Sequence, residues 1–447
     1  MENNTDLAKK YFLLGDNKFE KGLFKESCEY FERSLDHFPN RLSTLSKLLI
    51  CKVKLKKFEE SEKIINQINS IDSNYVYGKY AKALYYADTF DFYKSKLELL
   101  PIINSKNETK EFLSTFNNCL GRALFNLDDY EGAIEKYLKA IELNPKNYNA
   151  YNNLGHAYLS RNNYFEGWKY YEYRLKKNNI DHKKYPEKIE DIRNKQILIN
   201  HEQGLGDIIQ FISIVPELLK FKCKIDFLIP EVLKNLFKIK DVNFINTIDN
   251  TKYYDYEINL MSLPYYLNIN LKEPPANEII NPNIFLDRSK MIDKNNFNIG
   301  IAWSGNQNYE YDKIRSTNLK NLENILNIQN KYPVKFFCLQ KDIKKKDLKY
   351  FENSNIKYLG NLKFYDLAKE IVDLDLVVST CTSILHLAAA LKQKTYGLIG
   401  YKADWRWSQD QKKYNWYKSL EIFRLKKNEK WEEISKTVAN NIVKLIK

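Results

Sequence analysis

The sequence predicts an α + α/β protein, in which an N-terminal α-solenoid precedes two Rossmann-like lobes. Three observations carry this prediction: a 34-residue period over residues 1–178, an alternation of strand-like and helix-like segments over residues 196–447, and a Pro- and Asn-rich break near residues 272–296 that divides the alternation. We therefore predict the following division: a repeat array at 1–178, a polar linker at 179–195, a first lobe at 196–290 and a second lobe at 296–447.

The period is clearest in the last two of about five repeats, where Gly121 recurs 34 residues later as Gly155 and Tyr137 recurs as Tyr171. A repeat of this length forms a helical hairpin, in which small residues let two helices approach and large residues fill the groove between neighbours. A proline such as Pro145 ends the second helix because it cannot donate to the preceding turn. These positions resemble the tetratricopeptide repeat. Such an array either binds an extended peptide or protein on its concave face or only buttresses the next domain, and the sequence leaves both open.

The strand–helix alternation predicts parallel sheets with right-handed crossovers. The predicted strands are QILINHE, KIDFLIP and YEINL before the break, and FNIGIAWSG, VKFFCLQ, LDLVVST and TYGLIG after it. Ligands of open parallel sheets lie at the carboxyl ends of the strands. The loops after these strands, in two lobes that face one cleft, are therefore the candidate site.

The first candidate loop contains Gly204, Gly206 and Asp207, directly after a strand and at the start of a helix. Its two glycines allow a close approach of the backbone to a ligand, and an aspartate is favoured electrostatically at a helix start. An ordinary helix N-cap explains the same pattern equally well.

The second and third candidate loops carry polar and basic side chains. Ser304 and Asn306 follow one strand with Arg315 nearby, a combination that suits an anionic substrate, although a loop that only caps the sheet is the alternative. Gln340 and Lys341 follow the next strand and are expected to reach into the cleft.

The fourth candidate loop places Thr382 and Ser383 at a helix N-terminus, with His386 one turn into that helix. Hydroxyls at a helix N-terminus, together with the helix dipole, make a phosphate site; the alternative is a Ser/Thr cap on a buried helix. Asp373 and Asp375 resemble a metal-binding DxD pair, but they precede their strand and are interpreted as a turn.

Composition narrows the class of protein. The chain has 447 residues and a net charge of +14. Its lysines are spread evenly, which a lysine-rich composition explains; the alternative is attraction to an anionic partner such as a nucleotide sugar or a phospholipid surface. Nucleic acid is not expected as a partner, because Arg-rich arms, zinc-finger spacings and aromatic RNA-binding motifs are missing from the sequence. The six cysteines lack CxxC spacing and the five histidines are scattered, which predicts reduced thiols and no structural zinc site.

The N-terminus lacks a signal-peptide pattern, and no run approaches the roughly 18 apolar residues of a membrane-spanning helix. We therefore expect a cytoplasmic protein, with a peripheral position at the inner membrane face as one alternative.

The strings HEQGLGDIIQFI, YEINLMSLP, IGIAWSGN, CLQK, DLDLVVST, SILHLAAALK and DWRW follow one another through most of residues 197–417. This succession resembles tetratricopeptide proteins fused to a heptosyltransferase-like domain of glycosyltransferase family nine, which has a two-lobed B-type fold. The resemblance implies a metal-independent, inverting transfer of a sugar from a nucleotide-diphosphate sugar to a protein or a glycolipid or glycan acceptor. It implies no cofactor, and it suggests that the array recruits the acceptor or a partner.

The resemblance also implies roles for the candidate residues. Asp207 is the general base that deprotonates the acceptor hydroxyl, and Gly204 and Gly206 leave room for the acceptor or the donor diphosphate. The diphosphate is contacted by Thr382, Ser383 and His386. The leaving phosphate is neutralised, in place of a metal, by the charges of Arg315 and Lys341.

The chain departs from the family at Cys381, where an aspartate is usual, and this puts the hydrogen bonding of that loop in doubt. Trp405 and Trp407 are expected to pack the lobe interface. The first lobe is short for a full acceptor domain, so the array is a candidate to complete the acceptor site. The alternative function is a non-catalytic interaction protein with a degenerate second half; Asp207 beside an intact helix N-terminus favours the enzyme.

Overall fold

The computed structural model describes the whole chain except residues 1–3, 104, 106–107, 181–183, 250, 271–272, 276–278, 287–291, 293–294, 308, 310 and 408–415. The chain divides into two compact units, Met1–Tyr158 and Leu159–Lys447. The predicted array ended at residue 178, whereas residues 159–178 pack within the second unit.

The first unit is a series of helical hairpins, as the 34-residue period predicts. Its helices are α1 (Asn4–Glu20), α2 (Phe24–His37), α3 (Leu42–Lys54), α4 (Phe58–Asp72), α5 (Val76–Asp88), α6 (Phe92–Leu99), α7 (Lys110–Asn126), α8 (Tyr130–Leu143) and α9 (Tyr148–Ser160), the last of which crosses the boundary between the units.

Glycines explain how the two helices of a hairpin come together. A Cβ atom on Gly15 of α1 would lie 2.7 Å from the ring of Phe31 on α2, and one on Gly121 of α7 would lie 2.6 Å from the ring of Tyr137 on α8. Both rings are almost fully buried. The aromatic ring of the second helix therefore packs directly on the backbone of the first, which requires glycine at that position.

The second unit begins with α10 (Tyr164–Tyr171) and α11 (Tyr173–Lys177) and continues into a four-stranded parallel sheet. The strands are β1 (Gln196–Asn200), β2 (Lys224–Leu228), β3 (Val242–Ile245) and β4 (Tyr256–Asn259), in the order β3-β2-β1-β4. Helix α12 (Leu205–Phe211) follows β1 and passes into a 3₁₀ segment at Ile212–Phe221, inside which Pro216 removes a backbone donor. Short helices α13 (Leu263–Tyr266) and α14 (Asn283–Leu286) complete the first lobe.

The second lobe is a six-stranded parallel sheet with the order β10-β9-β8-β5-β6-β7. Its strands are β5 (Phe297–Ala302), β6 (Val334–Cys338), β7 (Lys357–Tyr358), β8 (Leu376–Thr380), β9 (Thr395–Ile399) and β10 (Leu420–Arg424). Its helices are α15 (Asp312–Arg315), α16 (Glu323–Leu326), α17 (Lys345–Glu352), α18 (Phe364–Ile371), α19 (Ser383–Ala390) and α20 (Trp431–Ile446). The predicted α + α/β architecture is confirmed.

An aromatic cluster joins the two lobes. Trp168 on α10 and Trp405 of the second lobe meet edge to face, with ring centroids 5.3 Å apart, and Phe211 on α12 contacts both. The indole N–H of Trp168 donates to the Ile269 carbonyl (2.7 Å), and that of Trp416 donates to the Gln210 carbonyl (3.0 Å). These indoles bury their apolar area and still satisfy their donors, as buried tryptophans usually do.

Within the described residues, none of the helices combines the length and the apolar character needed to cross a membrane.

Candidate functional site

The first turn of α12 carries the predicted base. Gly204 is the N-cap of this helix, with φ −87° and ψ 167°, and its N–H donates to Oδ2 of Asp207 (3.0 Å). The Asp207 N–H in turn donates to the Gly204 carbonyl (3.0 Å). The capping role that the sequence offered as an alternative is therefore real, and it fixes the position of the Asp207 carboxylate. A Cβ on Gly204 would meet only that carboxylate, at 3.4 Å.

Asp207 forms an ion pair with a residue of the other lobe. Its Oδ1 lies 2.7 Å from Nη2 of Arg406, and the Asp207 side chain remains 23% exposed. Burial raises the pKa of the Asp207 carboxyl above its ordinary value, against the opposing charge of Arg406. A carboxyl that is reachable, oriented and raised in pKa meets the requirements for a general base.

Gly206 brings the first turn of α12 against the start of α19. A Cβ at this position would lie 2.8 Å from Cδ2 of His386 and 3.5 Å from the Cα of Ser383. The first and fourth predicted loops, which are about 180 residues apart in sequence and belong to different lobes, therefore meet. At this point the predicted cleft is a packed contact that only a glycine permits.

The N-terminus of α19 carries the predicted hydroxyls. Thr382 is the N-cap, with φ −137° and ψ 171°, and its Oγ1 is paired with Oγ of Ser379 (3.1 Å) and does not cap the helix. Thr382 and Ser383 are half-buried. The first backbone N–H groups of an α-helix have no partner within the helix, so this end of α19 suits an anion.

His386 plays a different part from the one expected. It is buried, and its Nδ1 lies 3.3 Å from Oη of Tyr417. Burial lowers the pKa of His386 to about 3, with Arg406 acting in the same direction. The imidazole is therefore neutral at pH 7, and it packs between Gly206 and Trp407, whose ring centroid is 5.5 Å away. It supports the α19 turn and adds no positive charge for a diphosphate.

Cys381 is the residue at which the sequence departs from the pattern that its resemblance implies. The Trp407 indole N–H donates to its Sγ (3.1 Å), and burial raises the pKa of the thiol to about 11. The side chain is therefore uncharged at pH 7. Because the thiol accepts the indole N–H, this loop keeps a hydrogen bond without a negative charge beside the N-terminus of α19.

The polar side chain of the third loop is held by hydrogen bonds within the protein. Gln340 is buried; its Oε1 accepts the N–H groups of Trp303 (2.8 Å) and Ser304 (3.0 Å). Its Nε2 donates to Oγ of Ser304 (3.2 Å) and to the Asp342 carbonyl (2.8 Å). The expectation that Gln340 reaches into the cleft is therefore wrong, because all four of its hydrogen-bonding positions are used to hold the β5 and β6 loops together. Ser304 is buried in the same arrangement.

Arg315 is the predicted cation that the structure brings to the site. Its guanidinium lies against Gly305, where a Cβ would be 2.5 Å from Nη2, and its Cζ lies 4.4 Å from the centroid of the Tyr309 ring. Burial raises the pKa of Asp207 and of Cys381, which are on different lobes, and the charge of Arg315 opposes that rise at both. Arg315 therefore faces the region where α12 meets α19.

Two segments of the chain match family models. Residues 121–161 match the model of the TPR repeat. Residues 316–442 match the model of Glycosyltransferase family 9 (heptosyltransferase). The chain combines a TPR repeat with a glycosyltransferase family 9 domain. The family 9 match contains the α19 turn, whereas Asp207 lies outside it.

Three known proteins are similar to part of this chain. The TPR repeat-containing protein MJ1428 of Methanocaldococcus jannaschii is 30% identical over 34% of this chain and 28% of its own length, so this chain spans little more than a quarter of that relative. The dodecameric iron-containing heptosyltransferase TibC, solved with ADP-D-β-D-heptose, shares 11% identity over 57% of this chain and 77% of its own, with a TM-score of 0.41. Pseudomonas aeruginosa pilF shares 12% identity over 49% of this chain and 86% of its own, with a TM-score of 0.36.

Two predicted residues of the second lobe stay predictions. Asn306 and Lys341 are exposed; the carbonyl of Asn306 accepts the Tyr309 N–H (3.1 Å), and that of Lys341 accepts the Tyr358 hydroxyl (2.5 Å). These are backbone contacts, and they leave the ligand role of both side chains untested.

In the described part of the chain, no group of three or more His, Cys, Asp or Glu side chains is placed to hold a metal ion. Asp375, half of the DxD pair, accepts the N–H of Asn298 (2.7 Å), which agrees with its interpretation as a turn residue.

Sequence reasoning missed Arg406. Its guanidinium pairs with Asp207 and with Asp404 (2.7 Å each), and it donates to Oε1 of Gln203 (2.8 Å). Its Cζ lies 4.3 Å from the centroid of the Trp405 ring. The available signal was the string DWRW, in which one arginine stands between two tryptophans expected at the lobe interface.

Proposed function

We propose that this protein is an inverting glycosyltransferase that takes a sugar from a nucleotide-diphosphate sugar. One observation carries the proposal: Gly206 places the first turn of α12, with Asp207, against the N-terminus of α19. A base and an anion site then stand side by side on two Rossmann-like lobes. The family 9 match over residues 316–442 supports the same reaction class.

Asp207 is the proposed base. It takes the proton of the acceptor hydroxyl, whose oxygen attacks the anomeric carbon of the donor from the side opposite the diphosphate. The new C–O bond forms while the bond to the diphosphate oxygen breaks, and the nucleoside diphosphate leaves with that electron pair. A single displacement of this kind inverts the anomeric configuration.

The leaving diphosphate is proposed to lie at the N-terminus of α19, near Thr382 and Ser383. Backbone N–H groups and the helix dipole stabilise negative charge there. Arg315 is the proposed neutralising cation, with the exposed Lys341 as a second candidate. These groups stabilise charge that develops as the bond breaks, so we propose that transfer needs no metal. Addition of EDTA should then leave nucleotide binding and transfer unchanged.

The repeat array is proposed to recruit the acceptor or a partner protein. TPR-type hairpins present grooves suited to extended peptides. The acceptor is proposed to be a protein, a glycan or a glycolipid; a glycolipid acceptor would require a peripheral position at a membrane.

Nucleotide binding tests the proposal first. ADP, GDP, UDP and CMP at millimolar concentration are added to the full chain, and unfolding is followed by tryptophan fluorescence. All six tryptophans lie in the second unit, so the signal isolates it. A nucleotide at 100 times its Kd should stabilise this unit by about 2.7 kcal/mol, which raises its Tm by several degrees. If no member of the panel shifts the transition, the alternative of a non-catalytic interaction protein is favoured.

The base is tested by Asp207→Asn, which removes the proton acceptor and keeps the shape. Transfer should fall by at least about 10²-fold, the usual contribution of a general base, while the nucleotide-induced shift persists. Asp255→Asn is the matched control: Asp255 also accepts a backbone N–H, from Gln196 (2.8 Å), but at the amino end of β1. Equal transfer by wild type and Asp207→Asn would refute the role of the base.

A further inference from the structure

Arg406 reaches across the lobe interface to the proposed base. It belongs to the segment after β9 in the second lobe, and Asp207 belongs to α12 in the first. Its Nη2 lies 2.7 Å from Oδ1 of Asp207 and also donates to Oε1 of Gln203 (2.8 Å). One guanidinium edge therefore contacts two residues of the loop that holds the base.

The guanidinium is held in place by its own lobe. Its Nη1 lies 2.7 Å from Oδ1 of Asp404, and its Cζ is stacked 4.3 Å from the centroid of Trp405. The ring of Phe211 lies on it from α12, 5.7 Å from Cζ, and the side chain is 8% exposed. A buried arginine with fixed neighbours loses little additional side-chain entropy when it pairs with a carboxylate.

The charges that face Asp207 come from the second lobe. Burial raises the pKa of its carboxyl, with Asp404 acting in the same direction, and Arg406 and Arg315 oppose that rise. Its own helix contributes the N–H of Gly204, and α19 contributes His386, which is neutral. Without Arg406, burial and Asp404 would act against one remaining cation, so the pKa of Asp207 would rise and its charged fraction at neutral pH would fall.

We propose that Arg406 is a positioning residue for the base: from the second lobe it holds the carboxylate of Asp207 charged and oriented toward the acceptor. The proposal rests on the proposed function of Asp207. It has a structural consequence, because the ion pair exists only while the two lobes are in contact. The lobe that binds the donor therefore also prepares the base on the other lobe.

A double-mutant cycle tests the coupling in the full chain. Unfolding of wild type, Arg406→Gln, Asp207→Asn and the double variant is followed by tryptophan fluorescence from pH 4 to pH 8. Loss of an opposite charge at this distance moves a carboxyl pKa by about one unit or more, so the unfolding constants should show coupling of roughly tenfold or more at pH 8. The coupling should weaken as pH falls toward 4, because protonation of Asp207 removes the charge that pairs with Arg406. A merely structural arginine would show no such pH dependence.

Further variants complete the test. Arg406→Lys keeps the charge, so a cycle that uses it in place of Arg406→Gln should show much weaker pH-dependent coupling; if Arg406→Gln does not fold, Arg406→Met replaces it as the uncharged variant. Arg193→Gln removes the same charge from an exposed site and should show no coupling to Asp207. Coupling that is the same at every pH, or absent, would overturn the proposal even if nucleotides shift the Tm. Coupling without a nucleotide shift would overturn the proposed function and the role of the base with it.

Discussion

Gly206→Ala is the most direct test of the contact between α12 and α19. The added Cβ would lie 2.8 Å from Cδ2 of His386, closer than such atoms approach in folded proteins, and 3.5 Å from the Cα of Ser383. His386 cannot move away easily, because Trp407 stacks on it and Tyr417 is within hydrogen-bonding distance of it. The methyl group must therefore separate the two helices or displace a buried ring.

Two opposing effects set the change in the free energy of unfolding that Gly206→Ala causes. Overpacking of a well-packed interior costs about 1–3 kcal/mol. Replacement of glycine by alanine in a helix returns at most about 1 kcal/mol. We expect the second unit to lose about 1–2 kcal/mol, and nucleotide affinity to fall because the α19 turn shifts.

Gly204→Ala is the matched control. Gly204 lies two residues earlier at φ −87°, and its Cβ would make only an ordinary contact, 3.4 Å from Oδ2 of Asp207. Its cost should be no more than about 1 kcal/mol, because alanine is a poorer N-cap than glycine but meets no steric conflict here. Urea unfolding read by tryptophan fluorescence compares the two variants. Equal stability of both, with unchanged nucleotide binding, would refute the reasoning that Gly206 is required by the approach of α19.

Two further predictions concern His386 and the first unit. Because the folded state keeps His386 neutral down to a pKa of about 3, the unfolded state takes up an extra proton below the ordinary imidazole pKa of about 6.5. The second unit should therefore lose up to about 1.4 kcal/mol per pH unit as pH falls from 6.5, and His386→Gln should remove this slope in urea titrations; an unchanged slope would contradict it. In the first unit, Gly121→Ala would place a Cβ 2.6 Å from the ring of Tyr137 and should cost about 1–3 kcal/mol by far-ultraviolet circular dichroism. The tryptophan transition of the second unit is the internal control, and a normal first unit would show that the ring has room to move.

Whether the sequence predicted a strand depended on the position of that strand in its sheet. The seven predicted runs correspond to β1, β2, β4, β5, β6, β8 and β9, which are mostly interior strands. The strands that were not predicted, β3, β7 and β10, are all sheet edges with largely half-buried or exposed residues. Interior strands of a parallel sheet are apolar on both faces and produce a continuous signal, whereas edge strands are defined by pairing with a neighbour.

The sequence predicted the candidate site only where the position of the backbone determines which residues come together. The rule that ligand-binding loops lie at the carboxyl ends of strands brought Asp207 and Ser383 to one region, and the structure places their helices in contact. The same rule misjudged Gln340, because it locates a loop and does not show whether a side chain points to a ligand or back into the protein. It could not find Arg406, whose partners in the first lobe lie about 200 residues away in sequence.

The sequence by itself determined the hairpin period, the interior strands and the positions of Gly15 and Gly121, which aromatic rings cover. These features follow from local periodicity, because a helical face or a buried strand must repeat its apolar side chains at a set spacing. Only the tertiary structure decided the boundary near Tyr158, the neutral state of His386 and the ion pair between Asp207 and Arg406. These features depend on which residues become buried and on which charges the two lobes bring together. Spacing along the chain determines neither the burial nor the charge contacts.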